Sequence, residues 1–286
     1  ERLGEPFGML DRAAASKATG TAHYAAMLHS PNCILMQPRK LVQGLAEALP
    51  ANVALFEDCP VIGLEAGTTI TATTTHGTVR ASRLVLAVNG AAPAFGYFGR
   101  RVFALRIHAS MTRPLDDSER KEFGARPWGI LPAIHTTGPT LRLTEDHRIL
   151  VRAGFSLRQQ PARVAATERD MRALHLRMLR ARFPNLHALD IEHTWWGEIC
   201  LSRNHAHGTA AVAPNVFTAV CDNGVGATKA TVAGIVAADM ALGERHPLAD
   251  DLEAFGRPAL MPPSPLFELG FRARRAFDGY RARSEL

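Results

Sequence analysis

Two stretches of the chain carry apolar residues at helical spacing. Residues 38–49 place Leu41, Val42 and Leu45 on one side, with one proline at the start of the stretch and another directly after it. Residues 164–183 have an apolar side that includes Met178 and Leu179, and Pro184 follows. Because proline is tolerated in the first turn of a helix and disrupts later turns, the pattern predicts one helix in each stretch.

Several shorter stretches have the patterns of β-strands. Residues 52–64 alternate, residues 68–75 are a β-branched run, and residues 78–80 follow a turn at Gly77, so a meander of short strands is predicted. Residues 82–90 form an apolar run that ends in Asn-Gly, which is typical of a strand buried on both faces. Strands alternate again over residues 93–201, including a strand over 191–201.

The last third of the chain predicts a strand, a glycine-containing turn and a helix in succession. The strand covers residues 215–221, the turn covers 222–228, and a helix of small residues ends near Gly243. A proline-rich stretch then leads to a basic amphipathic segment over residues 266–282. We expect this last segment either to pack back on its own domain or to lie on an anionic membrane surface or partner.

Composition excludes several classes of protein. With 286 residues, 47% hydrophobic and 21% charged, the chain is typical of a soluble globular protein with one large domain or two. No apolar run approaches the ~20 residues of a membrane helix, and no leader pattern opens the chain, so we predict a cytoplasmic protein without integral membrane contact. Its four cysteines lack paired spacing, so we predict no metal site and no disulfide, and expect reduced, at least partly buried thiols.

The net charge of +6 raises the question of nucleic-acid binding. Phosphate recognition needs clustered cations, whereas here the arginines are spread among acidic residues and lysines are few. Nucleic acid is therefore not a predicted partner.

The turn over residues 222–228 carries the clearest chemical signal. Glycines at 224 and 226 allow the backbone to approach a flat ligand closely, and the following helix presents unpaired N–H groups and a positive dipole end. An anionic group, or one that becomes anionic, suits this position. The same pattern also fits an ordinary terminal helix of an α/β domain.

Four passages in order resemble one known family. They are residues 37–45 (Pro-x-x-Leu-Val-like), 56–61 (ending in Val61), 84–90 (an apolar strand ending in Asn-Gly) and 215–234 (strand, glycine turn and helix). Together they resemble the FAD-dependent amine and amino-acid oxidoreductases of the D-amino-acid oxidase, glycine oxidase and γ-glutamylputrescine oxidase type. The resemblance implies FAD as the cofactor and hydride transfer from a substrate C–N carbon to flavin N5.

The resemblance also implies an α/β fold class and a domain order. A partial FAD-binding, doubly wound (Rossmann-like) domain would be interleaved with an antiparallel-sheet α+β substrate domain. The expected order is 1–35 substrate domain or linker, 36–92 FAD-binding part, 93–201 substrate domain, 202–245 closing FAD-binding strand and helix, and 246–286 C-terminal tail and helix. The cofactor contacts that the resemblance implies are Val61, Ala87, Asn89, Gly90, Asn223, Gly224, Val225, Gly226, Ala227 and Thr228.

On the substrate side the resemblance implies an amine rather than a simple α-amino acid. The amino-acid oxidases carry a carboxylate-binding arginine at the position of Ile199, and this chain has isoleucine there. Trp195 or Trp196 together with Tyr24 would then wall an aromatic tunnel for a small-molecule amine, although a core-packing role for the tryptophans stays open. The chain offers Arg203, Arg142 and Arg152 as alternative carboxylate partners, or as structural residues.

Histidine is the usual general base near neutral pH, and His23, His108, His205 and His207 are the histidines considered. We select His205, which follows the tryptophan strand, along with Trp196 and Tyr24 as catalytic-site residues. Lys229 either supports negative charge on the flavin or is a solvated lysine.

The family's Gly-x-Gly-x-x-Gly phosphate-binding motif does not occur in this sequence. Three explanations stay open: a second chain supplies that half, an upstream segment of a longer polypeptide supplies it, or FAD binding has been abandoned. The leading hypothesis is an FAD-dependent amine or amino-acid oxidoreductase completed by an upstream segment or partner chain. The alternative is a non-catalytic scaffold subunit of a heteromeric flavoenzyme.

Overall fold

The structure is a computed structural model that describes residues 4–123, 126–133, 137–157, 167–186 and 188–283. Its strands are β1 Gly8–Asp11, β2 Ala26–His29, β3 Val61–Glu65, β4 Ile70–Thr74, β5 Gly77–Ala81, β6 Leu84–Leu86, β7 Val102–Thr112, β8 Trp128–Ile130, β9 Thr140–Leu143, β10 Ile149–Leu157, β11 Ile191–Ser202, β12 Gly208–Ala213 and β13 Val216–Val220. Its α-helices are α1 Arg12–Thr19, α2 Pro38–Glu47, α3 Asp117–Arg120, α4 Glu168–Arg182, α5 Thr231–Leu242, α6 Ala249–Ala254 and α7 Leu266–Arg281. A 3₁₀ helix covers Asn89–Phe95, and a π-helical turn covers Gly226–Ala230.

The chain divides into two compact units. The first unit comprises Glu1–Met36, Arg106–Gly197 and Leu269–Leu286, and the second comprises Gln37–Leu105 and Glu198–Glu268. Each unit therefore draws on separated parts of the sequence.

The first unit is built around a five-stranded sheet and helix α4. The strand order is β11-β7-β10-β9-β8, and β1 and β2 form a separate antiparallel pair. Alternate residues of β9 and β10, such as Leu141 and Val151, point into a buried cluster with Leu179 and Phe183. This alternation leaves the intervening residues of both strands on the opposite face of the sheet.

Helix α4 ends as its sequence predicts, and a capping box marks its start. Thr167 and Asp170 form a reciprocal capping box at its start, and it ends at Arg182, shortly before Pro184. The predicted helix over 164–183 is confirmed from Glu168 onward, and residues 164–166 lie outside the described part of the chain.

Helix α1 ends at a position that only glycine fits. Gly20 has φ of 76°, and a Cβ there would lie 2.5 Å from the carbonyl oxygen of Glu122. The left-handed backbone and the close approach together exclude a side chain at this point.

The second unit contains two three-stranded sheets. In one, β13 pairs parallel with β6 and antiparallel with β12, and α5 packs against this sheet. In the other, β3, β4 and β5 form an antiparallel meander.

The predicted strands over 68–75, 78–80 and 215–221 are confirmed. The helix over 38–49, the helix ending at Gly243 and the amphipathic C-terminal helix are confirmed as well.

The predicted strand over residues 52–64 is wrong for most of its length. Only its last part belongs to a strand, because β3 begins at Val61. Asp58 adopts φ of 51°, and Pro60 has no N–H to donate, so a regular ladder does not extend upstream of Val61.

The prediction of a strand buried on both faces over residues 82–90 is also wrong. Only Leu84–Leu86 is extended, and Val85 and Val88 are 38% and 36% exposed. The reason is that β6 has one hydrogen-bonded neighbour, β13, and stands at the edge of its sheet among the described residues.

Cys200 and Cys221 are buried and Cys59 is half-buried, and all four cysteines are free thiols. The expectation of burial is wrong for Cys33, which is exposed because it lies in the irregular segment between β2 and α2. None of the helices in the described ranges combines the length and apolar character of a membrane span.

Candidate functional site

The turn after β13 is the centre of the candidate site. Cys221, Asn223 and Gly224 all have left-handed backbone, with φ of 67°, 53° and 77°. The Asp222 Oδ1 atom accepts a hydrogen bond of 2.9 Å from the Gly224 amide, which is the local bond that Asp-x-Gly sequences favour. The chain therefore reverses sharply immediately before the helical residues that follow.

The side chain of Asn223 ties this turn to the end of β11 and to the loop after it. Its Oδ1 accepts from the Ser202 amide at 3.0 Å, and its Nδ2 donates to the carbonyls of Cys221, His205 and Ala206 at 3.0, 3.1 and 3.2 Å. These bonds use the donors and the acceptor of the side chain within the protein. Asn223 therefore positions the turn, and any cofactor contact it makes would come from its backbone.

The end of the parallel neighbour β6 is tied to the same turn. Asn89 Oδ1 accepts from the Cys221 amide at 2.9 Å, and its Nδ2 donates to Asp222 Oδ2 at 3.4 Å. At Gly90, a Cβ would lie 3.4 Å from the Cβ of Ala104, so this backbone is already in close contact with its neighbour. The carboxyl ends of β6 and β13 thus meet, and such an edge is where open α/β sheets bind ligands.

The helical segment after the turn begins without a side-chain cap. The π-helical turn Gly226–Ala230 follows Val225, for which the structure shows no capping side chain within the described residues. The first amides of a helix have no partner inside the helix, and they carry the positive end of its dipole. Val225 is 44% exposed. Gly226 has no side chain, and a Cβ at this position would lie only 3.1 Å from Asp222 Oδ2. This backbone can donate hydrogen bonds to an anionic or polarised ligand.

The implied cofactor contacts all lie in the second unit, in two places. Asn89, Gly90 and residues 223–228 surround the turn, and Ala87 is exposed directly after β6. Val61 is the first residue of β3, in the separate meander, and is 40% exposed. Their assignment to a cofactor stays a prediction.

The three implied catalytic-site residues are divided between the two units. Trp196 is 45% exposed in the first unit, with the Arg106 guanidinium 3.9 Å from the centre of its ring. Tyr24, in the same unit, packs against the core and accepts a 2.9 Å hydrogen bond from Arg182. His205 belongs to the second unit, is exposed and has φ of 57°. Trp195 is 39% exposed, so neither tryptophan is a core residue.

The other three histidines considered have lowered pKa values, mainly because they are removed from water. Burial lowers the pKa of His108, of His23 beside Arg182, and of His207, where Lys229 adds to the effect. Both ring nitrogens of His207 lack a hydrogen-bond partner among the described residues. A lowered pKa favours the neutral form of these imidazoles, which carries no charge for an acidic residue to neutralise.

Sequence reasoning missed Asp222 and Ser202, which position the turn. The signal for Asp222 was present, because Asp-Asn-Gly is a turn-forming sequence. Ile199, on β11, lies beside the turn, since a Cβ on Gly224 would be 3.6 Å from its Cδ1. The Lys229 ammonium lies 4.9 Å from the ring centre of Phe255 and makes a cation–π contact with it.

Two further observations limit the chemistry of the site. In the described part of the chain, no group of three or more histidine, cysteine or acidic residues is placed to hold a metal ion. A hydrogen bond with Cys221, together with burial, raises the pKa of the Cys200 thiol, so Cys200 stays protonated at neutral pH.

Comparison with known proteins identifies the family. The profile of the DAO family, described as "FAD dependent oxidoreductase", matches residues 1–240. This chain belongs to that family. The predicted family is therefore confirmed, and its description names FAD as the cofactor.

Relatives of known sequence or structure agree with the family. The probable oxidoreductase OrdL of Rhizobium meliloti (strain 1021) is 27% identical over 252 residues, which cover 85% of this chain and 56% of that protein. The chain therefore spans little more than half the length of this curated relative.

Several solved structures share the fold at low sequence identity. Glycine oxidase from Geobacillus kaustophilus superposes with a TM-score of 0.72 at 18% identity, covering 87% of this chain and 67% of that one. L-proline dehydrogenase from P. horikoshii gives 0.71 at 16% identity, covering 89% and 68%. Iminodiacetate oxidase from Chelativorans sp. BNC1 gives 0.68 at 14% identity, covering 86% and 66%. The predicted mixed α/β fold with antiparallel sheets is confirmed.

Proposed function

We propose that this chain is the larger part of an FAD-dependent oxidoreductase that oxidises a C–N bond of a small amine or amino-acid derivative. The observation that carries the proposal is the uncapped helix start at Gly226, presented by a turn that Asp222 and Asn223 support through hydrogen bonds. The chemistry that FAD supplies when bound is acceptance of a hydride from the C–N carbon at flavin N5.

The residues of the turn fit a flavin ring. A flat ligand that gains negative charge on reduction needs close backbone approach and hydrogen-bond donors on one edge. Gly224 and Gly226 present no side chains, and the amides of residues 226–228 stand at the start of the helix. The helix dipole contributes about 0.3–2 kcal/mol to a negative charge placed there, in addition to the direct hydrogen bonds.

On the substrate side, the chain's own residues favour orientation over acid–base chemistry. Trp196, with Arg106 over its ring, presents a half-exposed aromatic surface, and Tyr24 is held in place by Arg182. We propose that these aromatic side chains orient the amine and exclude water. His205, which is exposed, would exchange a proton with the substrate nitrogen.

We also propose that an upstream segment or a partner chain completes the second unit. Helix α2 has no buried residue, and its apolar side chains Leu41, Val42 and Leu45 are 38%, 64% and 59% exposed. Val85 on β6 is likewise exposed. Apolar side chains arranged at helical spacing are normally covered, and the segment that carries a glycine-rich phosphate-binding turn is the proposed cover.

The proposed cofactor site is tested by Gly224→Ala in the full-length protein. A Cβ at Gly224 would lie in ordinary contact with Ile199, 3.6 Å from its Cδ1, and would add a methyl group to the turn that we propose faces the flavin, so we expect FAD affinity to fall. The matched control is Gly243→Ala, which has a similar φ of 84°, lies at the other end of α5 and has open space around its Cβ. Both variants carry the same backbone strain, so equal loss of FAD, measured by flavin fluorescence on release, would contradict the assignment.

Completion of the second unit is tested by co-expressing the chain with the upstream region of its gene and, separately, with neighbouring gene products. We expect one combination to yield a yellow complex in which amide hydrogen exchange of α2 slows. Leu45→Asp should prevent that complex, whereas Leu260→Asp, another exposed leucine (52%) of the same unit, should not. A well-folded complex that stays colourless in excess FAD would instead support the scaffold alternative.

A further inference from the structure

Two arginines lie next to each other on the face of the first unit's sheet that points away from its core. On β9 and β10, Leu141, Leu143, Ile149 and Val151 belong to the buried cluster, so Arg142 and Arg152 point to the other side. In the strand register, Arg152 lies opposite Thr140 and Arg142 lies opposite Leu150. Arg142 and Arg152 are therefore diagonal neighbours across one antiparallel pair, within reach of each other's long side chains.

Among the residues that the structure describes, neither guanidinium has an acidic partner. Arg152 Nη2 donates a 2.7 Å hydrogen bond to the Thr140 hydroxyl, and its guanidinium lies 5.8 Å from the ring centre of Phe155. In the described ranges, no ion pair or hydrogen bond involves the Arg142 side chain. Arg148, in the hairpin between β9 and β10, differs in that it pairs with both Asp146 and Glu192.

Both arginines are half-buried, and neither has an acidic partner within the described ranges. Burial lowers the pKa of each guanidinium, and the positive charge of Arg142 lowers the pKa of Arg152 further. Burying two neighbouring cations without a counter-ion is unfavourable, and a bound anion removes that cost.

The residue opposite Arg142 on β8 brings neither a side chain nor a charge to the pair. Gly129 on β8 lies opposite Arg142 and has no side chain, and a Cβ there would be 3.2 Å from Leu35 and 3.8 Å from the Arg142 side chain. Each guanidinium retains N–H donors in a planar fork that matches the two oxygens of a carboxylate. By contrast, Ile199 beside the turn offers no charge for a carboxylate.

We propose that Arg142 and Arg152 together bind the carboxylate of a small molecule. If the proposed function is correct, the carboxylate belongs to the amine substrate, which is then an amino-acid derivative. The other source of the same chemistry is a separate carboxylate effector.

The first experiment measures binding without turnover. Glutarate is titrated by calorimetry into the full-length protein and into R142Q, R152Q and the control R80Q, which removes an exposed arginine of β5 in the second unit. Loss of one charged hydrogen-bonding partner should weaken glutarate binding about tenfold or more in R142Q and R152Q, and leave R80Q unchanged. Undetectable glutarate binding to the unmodified protein, equal binding by all variants, or a clear preference for inorganic phosphate would overturn the proposal.

Thermal unfolding separates a binding role from a structural one. Because R142Q removes repulsion between unpaired cations, its midpoint should equal or exceed that of the unmodified protein. A lower midpoint with unchanged glutarate affinity would show a structural role and overturn the proposal. If a glutamine variant does not fold, R142K and R152K retain the charge without the fork and should still weaken binding.

The source of the carboxylate is decided with the flavin-loaded protein. Glutarate that raises the KM for the amine without changing kcat identifies the substrate carboxylate, whereas a change in kcat alone identifies an effector. Absence of flavin reduction by any amine would refute the proposed function while leaving the glutarate result intact, so the two failures are distinguishable.

Discussion

Asn223→Ala tests whether one side chain holds the candidate flavin turn together. The side chain bonds the Ser202 amide and the carbonyls of Cys221, His205 and Ala206 at 3.0–3.2 Å. These partners come from the end of β11, the loop after it and the turn itself. Alanine removes every one of these bonds while leaving the chain length unchanged.

The expected loss of stability follows from which partners are buried. Ser202 is 2% exposed and Cys221 is 0% exposed, so water does not readily replace the lost bonds to these two residues. An unpaired buried donor costs about 1–3 kcal/mol, and a lost bond to a buried carbonyl about 1 kcal/mol. Alanine at φ of 53° costs about 1 kcal/mol more. The sum is about 3–5 kcal/mol, a large part of the stability of an ordinary domain.

Urea unfolding of the full-length protein measures this loss, and Asn215→Ala is the matched control. Asn215 also has left-handed backbone, with φ of 60°, but its side chain makes no hydrogen bond among the described residues. Its replacement should cost only the backbone term of about 1 kcal/mol. If the two variants lose equal stability, the hydrogen bonds of Asn223 contribute nothing and the reasoning is refuted.

Three further predictions concern other parts of the fold. Gly20→Ala should cost about 2–4 kcal/mol by urea unfolding, because its Cβ would overlap the Glu122 carbonyl, whereas Gly243→Ala should cost about 1 kcal/mol; equal losses would contradict the overlap. Burial lowers the pKa of His175 below the 6.5 of the unfolded chain, so unfolding takes up a proton in acid. The free energy of unfolding should therefore be full above pH 6.5 and decline below it. His175→Gln should flatten this pH profile, measured by urea unfolding from pH 8 to 5, and an unchanged profile would contradict the reasoning. Leu179→Ala, at a fully buried site, should cost about 2–5 kcal/mol, and a loss below about 1 kcal/mol would show that the core is misassigned.

The local pattern was sufficient where short-range chemistry decides the structure. Helix α4 could be placed because its apolar positions recur at helical spacing and Pro184 ends it, and both signals act over neighbouring turns. The helix at residue 226 could be predicted to start after a glycine turn for the same reason. The strand over 52–64 failed because a left-handed Asp58 is a property of the folded turn that alternation does not reveal.

The sequence by itself determined the family, the strand–turn–helix at residues 215–243 and the absence of an arginine at position 199. Only the tertiary structure decided that Asn89, Asp222 and Asn223 support one turn. Asn89 bonds Cys221 and Asp222 at separations of 132 and 133 positions, and Asn223 bonds Ser202, His205 and Ala206 at separations of 17 to 21 positions. It also decided that Arg142 and Arg152 are neighbours with no acidic partner in the described part of the chain, because strand register and burial set the partners of a charge. Local interactions specify where elements begin and end, whereas the environment of a polar side chain depends on segments that meet only after folding.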